Sequence, residues 1–485
     1  MGRNGAGSTS SFQLGVEQRG IEFIPLSNRY GTPKRLFTVW FGVNLSILCL
    51  TVGTLGVSAG LPLAWACLAL IVGNVIGTFF MAAHAVQGPQ LGIPQMIQSR
   101  AQFGVLGAGL PLIAVLASGT LYSSANAILI EGTVRMLMPL GTVAAIVLFG
   151  AITVVVAFVG YELIHRLAAA LTVLSGTLFI ALAIMLVSRG GTTPYVQISS
   201  HFTWATFILV VTQATAWSLS SAPAVADYSR YLPASVSAST TFWYTGLGNF
   251  LSSTLMMFLG AYLAASFPSL ASHAGMGIAD LFGAGRYAVA LLIIANLLQV
   301  NVMNLYSAYM SSTTVITGLR GMRRVSLAYK LFVMSLLMAI ATIIAVATRD
   351  RFDAYFSDLL SVLVYTLIPW SAINLVDYYV VRRGHYRIDQ IFDMDGIYRR
   401  FRWRTIAVYL FSILIQIPFM SLSFYAGPLA RLIGADIAWF PGTLVPGVLY
   451  ALVERAATST DLLSSSPILP LDCAREINTP PERVL

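Results

Sequence analysis

Three asparagines lie within nine residues of an otherwise apolar stretch, at Asn296, Asn301 and Asn304. A carboxamide presents a hydrogen-bond donor and an acceptor together, so it can pair with the polar edge of a small molecule. An unpaired polar group in hydrocarbon is costly, which means that each of these side chains needs a partner. Asn296 and Asn301 are five residues apart and share a helical face only in part.

Two further apolar stretches are interrupted by small and polar residues. The first, TVWFGVNLSILCL, contains Gly42, Asn44 and Ser46, and the second, TAWSLSSAPAVA, contains Ser220 and Pro223. Secondary transporters built from inverted repeats have broken helices at matching places near the bilayer midplane. We expect Gly42 and Asn44 to turn backbone carbonyls toward a cavity. For the Asn44 side chain, a helix–helix hydrogen bond and a ligand contact are equal alternatives.

The segment MAAHAVQGPQLGIPQMIQSRAQFG, residues 81–104, begins as the end of an apolar helix and then breaks. Prolines at Gly88-Pro89 and Gly92-x-Pro94 remove backbone donors and disfavour helix in the preceding residues. A chain leaves helical structure inside lipid only where protein or water satisfies the freed backbone groups. The pattern predicts a span that leaves the bilayer through a shaped, non-helical segment, with a plain cytoplasmic loop as the alternative.

Composition requires that most of the chain lies in a membrane. Of the 485 residues, 57% are hydrophobic and only 10% are charged, whereas soluble domains carry about 25% charged residues. Long apolar runs approach the roughly 20 residues that cross a bilayer core, and a β-barrel would show short alternating segments instead. The sequence predicts an all-α polytopic membrane protein with about twelve transmembrane helices. They are expected at 37–60, 62–86, 105–133, 139–160, 164–188, 203–226, 240–266, 283–315, 328–347, 355–382, 403–425 and 437–453.

The placement of basic residues predicts the orientation. With both termini inside, about 22 of the 28 Lys and Arg fall on the cytoplasmic side, as the positive-inside rule requires. We expect a multi-pass protein of the cell membrane with a cytoplasmic segment at 1–36, a transporter domain at 37–453 and a disordered cytoplasmic tail at 454–485. Because the basic residues lie at helix ends, the formal charge of +9 does not indicate nucleic acid as a partner. Three cysteines give neither a disulfide framework nor metal-ligand spacing, so no metal and no cofactor are expected.

Four fragments stand in order between the apolar stretches. They are residues 81–104, the lead-in VEQRGIEFIPLSNRYGTP with LFTVWFGVNLSI, ADYSRYLP from Ala226 to Pro233, and Asn304-Leu305-Tyr306-Ser307. Together they resemble nucleobase–cation symporter family 1, also called the purine–cytosine permease family. The resemblance implies a leucine-transporter-like fold with a five-plus-five inverted repeat and two extra helices. It also implies import of a nucleobase or related planar heterocycle with a coupling cation, by alternating access.

The resemblance further implies that the substrate lies between spans 1, 3, 6 and 8. A flat heterocycle needs aromatic faces, worth roughly 1–3 kcal/mol for each stacked base, and amides at its edges. Tyr122 stands where many relatives have a stacking tryptophan, and Trp217 resembles a second stacking aromatic. Asn301 matches the family's substrate-binding asparagine, and Asn44 is the fourth candidate. The alternatives are an interfacial tyrosine for Tyr122 and simple packing for Trp217.

Sodium-coupled members of this family place two neighbouring hydroxyls on span 8, where this chain has Gln299-Val300. Sodium prefers oxygen ligands, and the Val300 side chain offers none. The sequence therefore favours a proton over sodium as the coupling ion. If sodium is used, the candidate ligands are carbonyls near Gly42, together with Asn296 and Gln299.

Proton coupling needs a titratable group in or near the transport pathway. The candidates are His84 near the end of span 2, Glu131 near the end of span 3, and Asp227 after span 6. A satisfied interfacial histidine is the alternative for His84. Asp227 could instead cap the chain break or pair with Arg230.

Other functional classes fit the sequence less well. It has no HExxH motif, no nucleophile elbow and no paired intramembrane carboxylates, so an enzyme is not expected. It also lacks the repeated filter loop of a channel. The main alternative is an amino-acid or other small-solute cation symporter of the same fold, and a thiamine-type permease is the second. Within the family, cytosine, purines, uracil, allantoin, hydantoins and thiamine are all open as substrates.

Overall fold

Helices make up most of the described chain. The computed structural model describes residues 23–159, 161–189, 201–268, 274–320 and 326–461. The α-helices are α1 Pro33–Val43, α2 Ile47–Ser58, α3 Leu63–Ala85, α4 Gln87–Leu91, α5 Gln95–Gln98, α6 Arg100–Phe103, α7 Gly109–Leu137, α8 Thr142–Val159, α9 Tyr161–Arg189, α10 Trp204–Leu219, α11 Ala222–Ser229, α12 Ala238–Ser266, α13 Ala274–Leu281, α14 Arg286–Arg320, α15 Leu327–Thr348, α16 Phe352–Val376, α17 Trp403–Gln416, α18 Pro428–Ile433 and α19 Trp439–Asp461. Short 3-10 turns lie at Leu26–Asn28, Gly283–Gly285, Arg349–Arg351, Asp389–Ile391 and Ile417–Phe419, and a π-helical turn lies at Asp377–Val381.

Each of the twelve predicted spans is a helix or a pair of consecutive helices. From span 1 to span 12 these are α1–α2, α3, α7, α8, α9, α10–α11, α12, α14, α15, α16, α17 and α19. By length and apolarity, eight described stretches can cross a bilayer, or nine with the bent pair α1–α2. One of the eight, Leu327–Val381, runs through two consecutive helices, and Trp403–Phe419 is a shorter apolar helix. The prediction of an all-α polytopic membrane protein is confirmed.

The two predicted interruptions differ in severity. Helices α1 and α2 are bent by 59° at their junction, and among the described helix pairs that are together long and apolar enough to span a membrane this is the one bent by more than 40°. Ser46 caps the second half of span 1, because its Oγ accepts the Cys49 N–H at 3.2 Å. In span 6, Pro223 lies in the first turn of α11, where its missing N–H leaves no helical bond unmade.

Glycines let the two broken spans pack closely against their neighbours. A Cβ added at Gly53 of α2 would overlap the Met257 carbonyl of α12, and one at Gly260 of α12 would overlap the Leu50 carbonyl. Gly73 of α3 lies in the same way against the backbone of α10. Small residues of this kind allow membrane helices to approach backbone to backbone. The bundle around both interruptions is therefore tightly held.

The segment 81–104 folds into short helical turns. Helices α4, α5 and α6 are separated by a left-handed Gly92, at φ 66°, and by the junction at Ser99, and the segment ends at Gly104, at φ 89°. Every residue of the segment except Gln90 is buried. The expectation of a non-helical segment is therefore wrong in part, and the alternative of a plain loop is wrong. Pro89 and Pro94 limit the length of the turns without preventing them, because each stands at or near a helix start.

Two predicted boundaries need correction at the end of the chain. The helical part of span 11 ends at Phe419 rather than at residue 425, and a small antiparallel hairpin follows, pairing Ser421–Leu422 with Tyr425–Ala426. Helix α19 continues to Asp461, beyond the predicted end of span 12 at residue 453. The rest of the predicted tail, residues 462–485, lies outside the described residues, as does most of the predicted N-terminal segment.

Candidate functional site

Asn44 holds the broken span 1 against spans 6 and 7. Its Oδ1 accepts the indole N–H of Trp217 at 2.7 Å. Its Nδ2 donates to Ser252 Oγ at 2.9 Å and to Asn249 Oδ1 at 3.1 Å, both on α12. Asn44 is 2% exposed and both ends of its carboxamide are engaged, so the helix–helix hydrogen bond is present, and a contact with a ligand stays a prediction. Asn44 reaches the candidate site through the ring of Trp217.

The two predicted stacking aromatics are in contact. The rings of Tyr122 on α7 and Trp217 on α10 have centroids 6.0 Å apart and are inclined at 84°. Two parallel rings that sandwich a third need about 7 Å between them, twice a van der Waals contact. Tyr122 and Trp217 instead form a right-angled pair, named the aromatic corner below. A flat ligand can stack on one ring while its rim meets the edge of the other.

Buried carboxamide oxygens without hydrogen-bond partners in the described structure lie on the helices that carry the two aromatics. They are those of Gln213 on α10 and Asn126 on α7, and a further one belongs to Asn296 on α14. Buried polar groups are nearly always hydrogen-bonded, so orphaned atoms call for an explanation. A polar ligand that pairs with them supplies one.

Two of these side chains were missed by the sequence analysis, although spacing could have found them. Gln213 precedes Trp217 by four residues and Asn126 follows Tyr122 by four, so each shares a helical face with its aromatic neighbour. Gln213 donates to Ser357 Oγ of α16 at 2.8 Å, which leaves its oxygen unpaired. Amides one turn from each aromatic therefore belong to the candidate site.

Asn301 lies in a neighbouring cluster between α7, α8 and α15. Its Nδ2 donates to Thr153 Oγ1 at 3.1 Å, and its Oδ1 accepts from Asn126 Nδ2 at 3.3 Å. Asn301 is fully buried. No hydrogen bond in the described structure joins it directly to Tyr122 or Trp217, and the link runs through Asn126. Its pairing with a substrate stays a prediction.

The three cation-site candidates do not form one cluster. Asn296 Nδ2 donates to the Leu45 carbonyl at 3.2 Å, inside the break of span 1, and to Ser175 Oγ at 3.0 Å. The Gly42 carbonyl accepts the Leu45 N–H at 3.1 Å. Within the described chain, Gln299 makes no hydrogen bond to Gly42 or to Asn296. An amide donor therefore contacts the carbonyl next to the break, and a sodium site built from these residues stays a prediction.

The three titratable candidates all have partners. His84 is fully buried, stacks on Trp370 with ring centroids 4.7 Å apart, and bonds through its two ring nitrogens to Ser371 and Gln95. These contacts match the alternative interpretation of His84, a histidine whose two ring nitrogens are both hydrogen-bonded within the protein. Glu131 pairs with Arg135 one turn away at 2.9 Å.

Asp227 caps the signature segment, residues 81–104, because its Oδ1 accepts the Gln95 N–H at 2.9 Å. This contact joins the end of span 6 to the buried turns of that segment. Of the two roles considered for Asp227, this contact is a cap, placed at the start of α5 in the signature segment, and pairing with Arg230 stays a prediction.

A chain of buried amides joins the signature segment to the end of span 10. It runs from Gln87 to Asn374 at 2.8 Å, from Asn374 to Gln102 at 3.4 Å, and from Gln102 to Asp377 at 2.6 Å. Asp377 also accepts from Arg382 at 3.0 Å. Burial alone would lower the pKa of Arg382, but the Asp377 carboxylate outweighs it and raises that pKa above its usual value.

Comparisons with known proteins identify the family. The family described as "Permease for cytosine/purines, uracil, thiamine, allantoin" matches residues 23–442. This chain belongs to that permease family. A Bacillus subtilis protein named as a candidate purine-cytosine permease, YxlA, is 40% identical over 445 residues, which cover 91% of this chain and 96% of that protein. The purine-cytosine permease fcyB of Emericella nidulans is 26% identical, over 88% of this chain and 86% of the relative.

Solved structures of the same family share the fold of this permease. Mhp1 in an inward-facing conformation gives a TM-score of 0.73 at 16% identity, covering 91% of this chain and 94% of Mhp1. Mhp1 in a closed conformation with bromovinylhydantoin bound gives 0.70 at 15% identity, covering 93% of this chain and 98% of Mhp1. The leucine-transporter-like architecture expected from the sequence is confirmed.

Proposed function

We propose that this permease imports a nucleobase or a related planar heterocycle by alternating access. The curated relatives named as purine-cytosine permeases support a nucleobase as the substrate, and the hydantoin bound to Mhp1 is likewise a planar heterocycle. The observation in this chain that carries the proposal is the aromatic corner with its orphaned polar atoms. A ring with a hydrogen-bonding rim complements both features, whereas an aliphatic amino acid offers no face to stack.

Uptake measurements in cells that lack their own permeases test the proposal. Radiolabelled cytosine, adenine, hypoxanthine and uracil are supplied separately, and each is competed by unlabelled nucleobases, allantoin, a hydantoin, thiamine and amino acids. Saturable uptake of one base, with competition by heterocycles only, supports the proposal. Competition by amino acids alone would establish the same-fold alternative, and transport of thiamine alone would establish the second alternative.

We infer that the chain lies in the cytoplasmic membrane with both termini inside. The support is the excess of basic residues at one end of the bundle, which includes seven arginines in residues 382–404, from the end of span 10 to the first turn of span 11. The loop between spans 11 and 12, at the other end, has only Arg431.

We propose a proton as the coupling ion. The support is the Asn296 amide, whose N–H donors already bind the Leu45 carbonyl and Ser175 in the region where oxygen ligands for sodium were sought. Uptake into membrane vesicles should follow an inward pH gradient in sodium-free buffer and collapse when a protonophore is added. Uptake that requires sodium and ignores the pH gradient would contradict this proposal while leaving the substrate class unaffected.

A further inference from the structure

The segment from the end of span 10 to the first turn of span 11, residues 382–404, is named the basic loop here. It contains seven arginines and three aspartates. Four of the arginines have acidic partners. The pairs are Arg382 with Asp377, Arg387 with Asp389, Arg400 with Asp395, and Arg402 with Glu454. The loop therefore keeps three arginines whose charge no described carboxylate neutralises.

These three arginines, Arg383, Arg399 and Arg404, are exposed, and their side chains make no hydrogen bond or ion pair with any described residue. Arg382 bridges the two ends of the loop, because its guanidinium carbon lies 5.1 Å from the ring centre of Tyr398. Arg383 and Arg399 are the chain neighbours of these two residues. The contact between Arg382 and Tyr398 therefore brings the backbones of Arg383 and Arg399 near each other.

Backbone geometry singles out two of the three. Arg383, at φ 52°, and Arg399, at φ 58°, are the only non-glycine residues of the described chain with a positive φ. This conformation is unfavourable for any side chain with a Cβ, and glycine adopts it at no cost. Arg399 is held there because its carbonyl accepts the Val105 N–H at 2.9 Å, next to the signature segment. An arginine at such a position points to a use for its side chain outside the fold.

Aromatic side chains place the basic loop at the membrane surface. Trp403 opens α17, the first turn of span 11, and is 68% exposed. It stacks on Phe401 with ring centroids 5.0 Å apart. Exposed tryptophans at the ends of spans lie at the level of lipid headgroups. Arg404 follows Trp403 directly in the first turn of α17, so both residues stand at the end of the span that meets the headgroups.

We propose that Arg383, Arg399 and Arg404 bind the phosphate headgroups of anionic phospholipids in the leaflet at this end of the bundle. Three unpaired guanidinium groups match the charge of such a surface, and guanidinium binds phosphate through paired N–H donors. Each basic residue near an anionic leaflet strengthens binding by about fivefold, the equivalent of about 1 kcal/mol. The proposal does not depend on which heterocycle is transported.

Native mass spectrometry of the purified, delipidated protein tests it. The protein is mixed with equal amounts of phosphatidylglycerol and phosphatidylcholine that carry the same acyl chains. The triple variant Arg383→Gln, Arg399→Gly, Arg404→Gln should retain phosphatidylglycerol at least tenfold less than wild type. The matched control Arg349→Gln, Arg351→Gln, Arg431→Gln removes equal charge from the opposite end and should retain it normally. Equal retention by both triple variants, whether high or low, would overturn the proposal.

The single variant Arg399→Gly separates lipid binding from stability. Glycine suits the positive φ, so the thermal midpoint in detergent should stay the same or rise while phosphatidylglycerol retention falls by about fivefold. A lower midpoint with unchanged retention would show that the arginine serves the fold alone. Loss of heparin binding with unchanged lipid retention would assign the surface to a soluble polyanion, and would overturn the proposal too.

Discussion

Asn44 orients an aromatic ring that the proposed substrate contacts. The indole N–H of Trp217 has one acceptor, the Asn44 carbonyl, and the Asn44 amide in turn is anchored on α12. A ring fixed by a hydrogen bond loses little freedom when a ligand stacks on it, which preserves more of the stacking energy for binding. The break of span 1 therefore contributes to the candidate site through Trp217.

Asn301 is the residue whose predicted role is tested most simply by substitution. Asn301→Ala removes the acceptor of the Asn126 amide and one donor to the Thr153 hydroxyl, which keeps its bond to the Phe149 carbonyl. It should therefore lower stability by about 1–3 kcal/mol whatever the substrate does. Asn301→Asp replaces a donor by an acceptor and should change the order in which heterocycles compete for uptake.

Thr153→Val is the matched control for Asn301. It removes the same hydrogen bond from the other side but leaves the carboxamide in place, so the order of competing heterocycles should remain that of wild type. If Asn301→Ala and Asn301→Asp also keep the wild-type order, Asn301 does not pair with the substrate.

The sequence predicted which residue types form the site better than it predicted how they are arranged. Tyr122, Trp217 and Asn44 are brought together as expected. The right angle between the rings is set by packing between spans that are far apart in sequence, so no local pattern encodes it. Gln213 was missed because a single glutamine in an apolar helix carries no marker apart from its spacing from Trp217.

Among the helices, span 10 contains a proline whose effect is compensated by a neighbouring span. Pro369 has no N–H to donate to the Tyr365 carbonyl one turn earlier. Gln416 of α17 donates to that carbonyl at 3.0 Å instead. The tertiary hydrogen bond replaces the missing helical one inside the membrane, where an unmade bond is expensive.

A double-mutant cycle measures this compensation. Gln416→Ala should lower the free energy of unfolding by about 1–3 kcal/mol, because it leaves the Tyr365 carbonyl unpaired. The same change made together with Pro369→Ala should cost less, since the helix then supplies the N–H itself. Unfolding is followed by thermal denaturation in detergent. An equal cost in both backgrounds would show that Gln416 does not compensate for the proline.

The signature segment is packed against α11 at Gly88. A Cβ added there would overlap Ser229 Oγ and lie 2.7 Å from the Arg230 backbone nitrogen. Gly88→Ala should therefore destabilise the protein by about 1–3 kcal/mol and reduce its yield in the membrane. Gly141→Ala meets no atom within 4 Å and serves as the control. Equal stability of the two variants would mean that the segment moves aside at no cost.

Element boundaries were predicted well where apolar length decides them and poorly elsewhere. Each of the twelve predicted spans coincides with a helix or a pair of helices, because long apolar runs mark them in the sequence. The hairpin at Ser421–Ala426 was not predicted, because its residues continue the apolar run of span 11 and its two-residue strands are too short to show a periodicity. The buried turns of the signature segment were not predicted because contacts with distant helices, such as the bond from Gln87 to Asn374, leave no local pattern in the sequence.

For the whole molecule, the inferred orientation places the basic loop in the cytoplasm and the hairpin outside. A variant without native cysteines is given either Ile397→Cys in the basic loop or Phe424→Cys in the hairpin, two positions that are 58% and 79% exposed. A membrane-impermeant maleimide applied to intact cells should label only the Phe424→Cys variant. Labelling of the Ile397→Cys variant before the cells are permeabilised would reverse the orientation.

Binding of a heterocycle at the aromatic corner is the central claim, and equilibrium binding to the purified protein tests it most directly. The radiolabelled ligand is the base that competes best for uptake, and the variants are Tyr122→Ala, Trp217→Ala and the control Trp243→Ala, whose ring is 57% exposed on α12. Both corner variants should bind more weakly by about 1–3 kcal/mol, roughly 5- to 150-fold, and the control should bind as wild type does. Wild-type affinity in both corner variants, with folding intact, would contradict the account.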